Sequence, residues 1–158
     1  MKKSARALTF AGRVRAVLLL NDRVHAKDEG NAALAFIARQ PRSKWNPFFL
    51  ELLAAEAYTF TGQKDKALAA ARSSLELMPR SKNAVAWVGV AMVAARVFAW
   101  NGAGDEAVKL LDALVTSAPG LQPGLIARDP LFTVPLADSL RFQSLAQRLE
   151  AEMDRSTL

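Results

Sequence analysis

The sequence predicts an all-α protein assembled from helical hairpins. Apolar residues recur at steps of three and four along most of the chain, and no segment sustains the alternation typical of a strand. Residues 56–79 and 96–119 also repeat one skeleton, in which an aromatic residue, a Gly, an Ala and a Pro follow one another at separations of 4, 5 and 12. A hairpin has an apolar face that it cannot bury alone, so stacking two copies gives the repeat a physical reason.

The composition is that of a globular chain without thiol chemistry. The 158 residues are 51% hydrophobic and 23% charged, which is enough apolar material for one domain. The chain contains no cysteine, which excludes disulfides and thiolate metal sites and fits a reducing compartment, so we expect a cytoplasmic protein. Arg13 and Arg15 interrupt the apolar run near the start, which argues against a signal peptide.

The N-terminal part, residues 1–45, predicts two helices. Apolar residues at helical spacing run through residues 4–28, and a polar stretch that contains Gly30 is expected to interrupt the helix at residues 28–31. A second, short helix is expected over residues 31–40, because a proline follows it.

The next segment, residues 46–79, predicts the first hairpin. Its first helix is expected over residues 46–61, with Pro47 in the first turn, where a missing amide costs nothing. Gly62 supplies the left-handed residue that ends this helix. The second helix is expected over residues 64–78 and stops before a proline.

Residues 80–119 predict the second hairpin, with helices near residues 82–101 and 104–117. In the remaining cap, residues 120–158, helix breakers permit only short pieces before a final helix near residues 139–154. These breakers are Gly120, Pro123, Pro130 and Pro135.

The same pattern predicts how the helices pack. Small residues are expected where helix axes approach closely. They are Ala54, Ala55, Ala57 and Ala67 in the first hairpin and Ala94, Ala95, Val97 and Ala107 in the second. Apolar residues of the cap are expected to cover the face that the last hairpin leaves open. They are Leu125, Ile126, Leu131, Phe132, Leu136, Phe142, Leu145 and Leu149.

The repeated skeleton resembles the tetratricopeptide repeat (TPR) family, whose signature is an aromatic residue late in the first helix, a turn Gly, an early Ala in the second helix and a closing Pro. The copies here lie 40 residues apart, whereas the family's usual spacing is about 34. The resemblance implies a TPR-like solenoid, a right-handed superhelix of hairpins, that binds a protein or peptide partner.

Residues 64–152 also resemble the C-terminal repeat segment of multidomain bacterial signalling proteins, where similar segments follow a Ser/Thr kinase, an adenylate cyclase or a winged-helix regulator domain. The matching positions are Asp129-Pro130, Pro135-Leu136 and Arg141-Phe142. Ser139-Leu140 stands where that ending has a second Asp-Pro, so we expect a different turn before the last helix. The resemblance implies a regulatory or scaffold role without catalysis.

The TPR resemblance also implies a concave groove lined by the first helix of each hairpin. The implied groove residues are Phe49, Leu52, Glu56 and Phe60 from the first hairpin and Met92, Arg96 and Trp100 from the second. Such a groove suits a short peptide or helix that carries an apolar residue and a carboxylate for Arg96. The alternative interpretation is that these side chains belong to the core.

The residue types predict no catalytic, cofactor or metal site. The single histidine, His25, lies in the basic N-terminal part, without the base-and-nucleophile pattern of covalent catalysis. The acidic pairs Asp28-Glu29 and Asp105-Glu106 point in diverging directions on a helix, and we expect them to favour helix N-termini through the dipole. We therefore expect a protein that is not an enzyme.

The charge distribution leaves a second class of function open. Residues 1–44 carry ten Lys/Arg and three Asp/Glu, a balance of +7, whereas residues 45–158 carry eleven and twelve, or −1. The alternative hypothesis is a nucleic-acid or membrane-surface adaptor that uses this basic segment. The positive charges are spread out, so we favour a solvated helix face and expect neither partner. A third hypothesis is homodimerisation through the helix expected over residues 4–28.

Overall fold

The computed structural model describes residues 23–41, 47–118 and 121–156. These residues contain eight helices and no strand, which confirms the all-α prediction. In chain order the helices are α1 (Arg23–Ala38), α2 (Pro47–Phe60), α3 (Lys64–Leu77), α4 (Ala84–Trp100), α5 (Gly104–Ser117), α6 (Gly124–Ala127), α7 (Pro130–Thr133) and α8 (Leu140–Ser156). The chain divides into two compact units, unit 1 ending at Met78 and unit 2 beginning at Pro79.

Each unit contains one of the two predicted hairpins. Helices α2 and α3 form the hairpin of unit 1, and helices α4 and α5 form that of unit 2. Their observed bounds differ from the predicted ones by at most two residues at either end, which is the ordinary uncertainty of a helix terminus. The predicted hairpins are therefore confirmed as local structures.

The turns of the two hairpins have the same backbone geometry. Gly62 and Gly102 adopt φ angles of 74° and 78°, which lie in the left-handed region that glycine enters without a steric penalty. The amide that follows each Gly donates a hydrogen bond of 2.9 Å to the carbonyl of the aromatic residue in the repeated skeleton, Gln63 to Tyr58 and Ala103 to Phe98. The sequence repeat is thus also a repeat of the backbone.

The small residues of the hairpins are buried, as predicted. Ala67 and Ala107, near the start of each second helix, have no exposed surface. The other predicted small residues are each at most 9% exposed, namely Ala54, Ala55, Ala57, Ala94, Ala95 and Val97. Short side chains allow the two helices of a hairpin to approach closely.

The predicted helix interruption at residues 28–31 is wrong. Helix α1 runs without a break from Arg23 to Ala38. A Cβ atom on Gly30 would lie 2.9 Å from the carbonyl oxygen of Ala57, 2.9 Å from Cγ2 of Thr61 and 3.0 Å from Cβ of Phe60. This glycine therefore permits close packing of α1 on α2, and tertiary contact outweighs its low helix propensity. Most of the helix expected over residues 4–28 lies outside the described residues.

The cap consists of two four-residue helices, α6 and α7, and the longer α8. Seven of the eight predicted apolar cap residues are buried, whereas Leu125 is 51% exposed and its predicted role is wrong. The Oδ1 atom of Asp129 accepts a hydrogen bond from the Leu131 amide and caps α7. Similarly, Oγ of Ser139 accepts one from the Phe142 amide at the start of α8.

The positive φ angles predict the effect of substitution at the turns. Gly62→Val or Gly102→Val is expected to lower the free energy of unfolding by about 1 kcal/mol or more, because a branched side chain is strained in this conformation. Urea unfolding monitored by circular dichroism measures this change. Gly89→Ala, in the exposed part of α4, is the control and is expected to be neutral or stabilising. Equal tolerance at the three positions would contradict the turn assignment. Gly12, expected in a helix, lies outside the described residues.

Candidate functional site

The groove residues implied for the first hairpin lie on one face of α2. Phe49, Leu52, Glu56 and Phe60 follow one another at steps of three and four, which places them on one side of a helix. The first three are half-buried, and Phe60 is 8% exposed. Phe60 lies against Gly30 of α1, so this residue contributes to the core of unit 1. Phe49 and Leu52 keep part of their apolar surface accessible.

The groove residues implied for the second hairpin lie on one face of α4. Met92, Arg96 and Trp100 are spaced four residues apart and are half-buried. They belong to unit 2, whereas the α2 residues belong to unit 1. Each set is therefore described within its own unit.

Arg96 is bound by the cap of its own unit. Its Nη2 atom lies 3.0 Å from Oδ2 of Asp129, and the two side chains are only 16% and 17% exposed. The guanidinium carbon also lies 5.5 Å from the centroid of the Phe132 ring, within the range of a cation–π interaction. Shielding from water strengthens this ion pair relative to one on an open surface.

Trp100 contacts the same part of the cap. Its indole Nε1 donates a hydrogen bond of 2.9 Å to the carbonyl oxygen of Leu131. The residues that contact Arg96 and Trp100 lie within four consecutive positions. We name residues 129–132 (Asp-Pro-Leu-Phe) the DPLF segment. The sequence singled out Asp129-Pro130 only through a resemblance and did not reveal the contact of Asp129 with α4. The contact could have been anticipated from chemistry, because a carboxylate was expected as the partner of Arg96 and Asp129 supplies one within the chain itself.

A second surface, which the sequence did not predict, lies between α5 and α8. A cavity of about 650 Å³ has the buried side chains of Val108 and Leu145 in its lining. Two ion pairs join the helices beside it, Arg141 with Asp105 and Arg148 with Asp112, and each joins residues 36 positions apart. All four charged side chains are more than half exposed, so the pairs contribute little to stability.

Unit 1 also contains a cavity, of about 420 Å³, between α1 and α2. Its lining includes Ile37, Leu50, Ala54 and Tyr58. None of the four groove residues of α2 is among the residues that line it. The cavity therefore does not correspond to the implied groove.

The two acidic pairs lie at different places in their helices, and only one of them lies at a helix start. Asp105 and Glu106 lie in the first turn of α5, as predicted, where the helix dipole favours negative charge. Asp28 and Glu29 lie within α1 and not at a helix start, so that part of the prediction is wrong, because α1 continues through residues 28–31. His25 is exposed. Within the described ranges, no three His, Cys, Asp or Glu residues are grouped as a metal site.

In the part of the chain that the structure covers, every helix is too short or too polar to span a membrane.

Comparison of the chain with protein-family models, curated proteins and solved structures finds no match. The TPR resemblance therefore stays a prediction that rests on the repeated skeleton and its repeated backbone geometry.

Proposed function

We propose that the chain is a non-catalytic, TPR-like module that binds a protein or peptide partner in the cytoplasm, with a regulatory or scaffold role in bacterial signalling. The observation that carries the proposal is the pair of hairpins with the same glycine turn, the same hydrogen bond and the same buried alanine at a spacing of 40 residues. Repeated helical hairpins present successive helix faces to a ligand, which is how such arrays bind.

The α2 half of the groove supports this proposal most directly. Phe49 and Leu52 are apolar and only half-buried, and the carboxylate of Glu56 lies one turn farther along the same face. A partly exposed aromatic and aliphatic pair beside a charge is the kind of surface in which a few apolar anchors supply most of the binding energy. The partner expected here is a peptide or helix that buries an apolar side chain against α2.

The test is capture of partners from a bacterial lysate by the immobilised full chain and by the double variant Phe49→Ala, Leu52→Ala. We expect the double variant to lose capture of the specific partner by about tenfold or more, with unchanged helix content by circular dichroism, because truncating anchor residues removes most of the binding energy. Leu77→Ala is the matched control, since it truncates a partly exposed leucine on α3 of the same unit.

Three results would contradict this assignment. Unfolding of the double variant would place both residues in the core. An unchanged set of captured proteins would show that α2 is not the binding surface. Capture dominated by nucleic acid or lipid that falls steeply as salt is raised would favour the basic-adaptor hypothesis. Most of the charge behind that hypothesis lies outside the described residues.

A further inference from the structure

The contacts between α4 and the DPLF segment match those of a helix that recognises a peptide. Arg96 binds the Asp129 carboxylate at 3.0 Å, Trp100 donates to the main-chain carbonyl of Leu131 at 2.9 Å, and the Phe132 ring packs beneath the guanidinium. A charge, a main-chain hydrogen bond and an apolar side chain are the three elements by which grooves bind short peptides. They are also the chemistry expected of an external ligand at this face.

We propose that the DPLF segment is an intramolecular ligand of α4, and that it competes with an external peptide of the same chemistry: a carboxylate residue, a proline and two apolar residues. The proposal rests on the proposed function as a binding module. In the closed form described here the α4 half of the groove is occupied. An external peptide binds this half only in the fraction of molecules whose segment has left it. Its apparent affinity is therefore its intrinsic affinity multiplied by that fraction.

The local structure of the segment is suited to such an exchange. Helices α6 and α7 have four residues each, and helices this short have no stability of their own. Parts of a native protein can open locally at a lower free energy than the whole fold. Leu131 and Phe132 are buried, so opening exposes apolar surface. The competing peptide must therefore bury equivalent side chains in their place.

Hydrogen exchange of the unmodified full chain tests the opening. The amides of Phe132 and Thr133, which both bond to the carbonyl of Asp129, are expected to exchange at least about tenfold faster than amides inside α4 and α5, such as those of Ala95 and Leu111. Exchange of all four at one common rate would overturn the proposal, because it would make the segment an inseparable part of the core.

A binding experiment tests the competition. A labelled peptide with the sequence of residues 127–135 is titrated into the full chain, into Asp129→Asn and into the control Asp138→Asn, an exposed acid of the same cap. Asp129→Asn keeps an acceptor for the Leu131 amide but removes the charge that holds Arg96. We expect the peptide to bind this variant about tenfold more tightly than either of the other two chains. The same peptide carrying Asp129→Asn is expected to lose that gain.

The results separate this proposal from the proposed function. Equal or undetectable peptide affinity for a folded Asp129→Asn variant overturns the intramolecular ligand. Partner capture that still depends on Phe49 and Leu52 would then leave the proposed function standing. If Asp129→Asn does not fold, the exchange rates of the unmodified chain decide the question.

Discussion

Replacing Ala67 or Ala107 with leucine is expected to lower the free energy of unfolding by about 1–3 kcal/mol. Both alanines are fully buried near the start of the second helix of a hairpin, and their amides bond to the residue that precedes that helix, at 3.0 Å in each case. A larger side chain has no room where the two helix axes approach, so the helices must separate or the leucine must leave its preferred rotamer. The positions are equivalent in the repeat, so we expect similar costs.

Exposed alanines of the same helices supply the controls. Ala69→Leu on α3 and Ala113→Leu on α5 make the same chemical change on the outer face, and each is expected to alter stability by about 0.5 kcal/mol or less. Chemical denaturation of the four variants measures the difference. If a buried variant and its exposed control unfold at the same denaturant concentration, the helix crossings are not where the structure places them.

Two glycines inside helices are expected to respond to alanine with opposite signs. Helix propensity alone predicts a gain of about 1 kcal/mol for either substitution. At Gly89 nothing lies within 4 Å of the added Cβ atom, so the gain is realised. At Gly30 the Cβ atom would lie 2.9 Å from the carbonyl oxygen of Ala57. The backbone there cannot move without shifting α2, and Gly30→Ala is expected to cost about 1–3 kcal/mol.

Thermal and urea unfolding of Gly30→Ala and Gly89→Ala measure these two changes under the same conditions. The sign of the difference carries the test, because both variants gain the same methyl group within a helix. Stabilisation by Gly30→Ala would show that α1 does not pack closely on α2 at this glycine.

The hairpins were predictable from the sequence because their signals are local. A left-handed turn requires glycine at the turn itself, and the requirement is visible at Gly62 and at Gly102 without knowledge of any distant residue. The buried alanines follow from helical periodicity in the same way. The capping positions of α7 and α8 lie within three residues of the amides that they bind. Each of these features is encoded within one or two helical turns of the chain.

The features that the sequence did not predict depend on residues far apart in the chain. Gly30 looks like a helix breaker until α2 is placed against it, because local propensity is weaker than the packing of two helices. The implied groove residues show the same dependence. The resemblance indicated seven positions, but it did not predict that residues of the cap bind Arg96 and Trp100.

The sequence alone therefore determined the four helices of the hairpins, where the hairpins turn and which of their small residues are buried, since each depends on near neighbours. Tertiary structure determined what each helix face meets. Arg96 and Asp129 are 33 residues apart, Trp100 and Leu131 are 31 apart, and the two α5–α8 ion pairs each span 36. Pairs at such separations leave no periodic signal, because their partners are selected by the three-dimensional packing of helices and not by spacing along the chain.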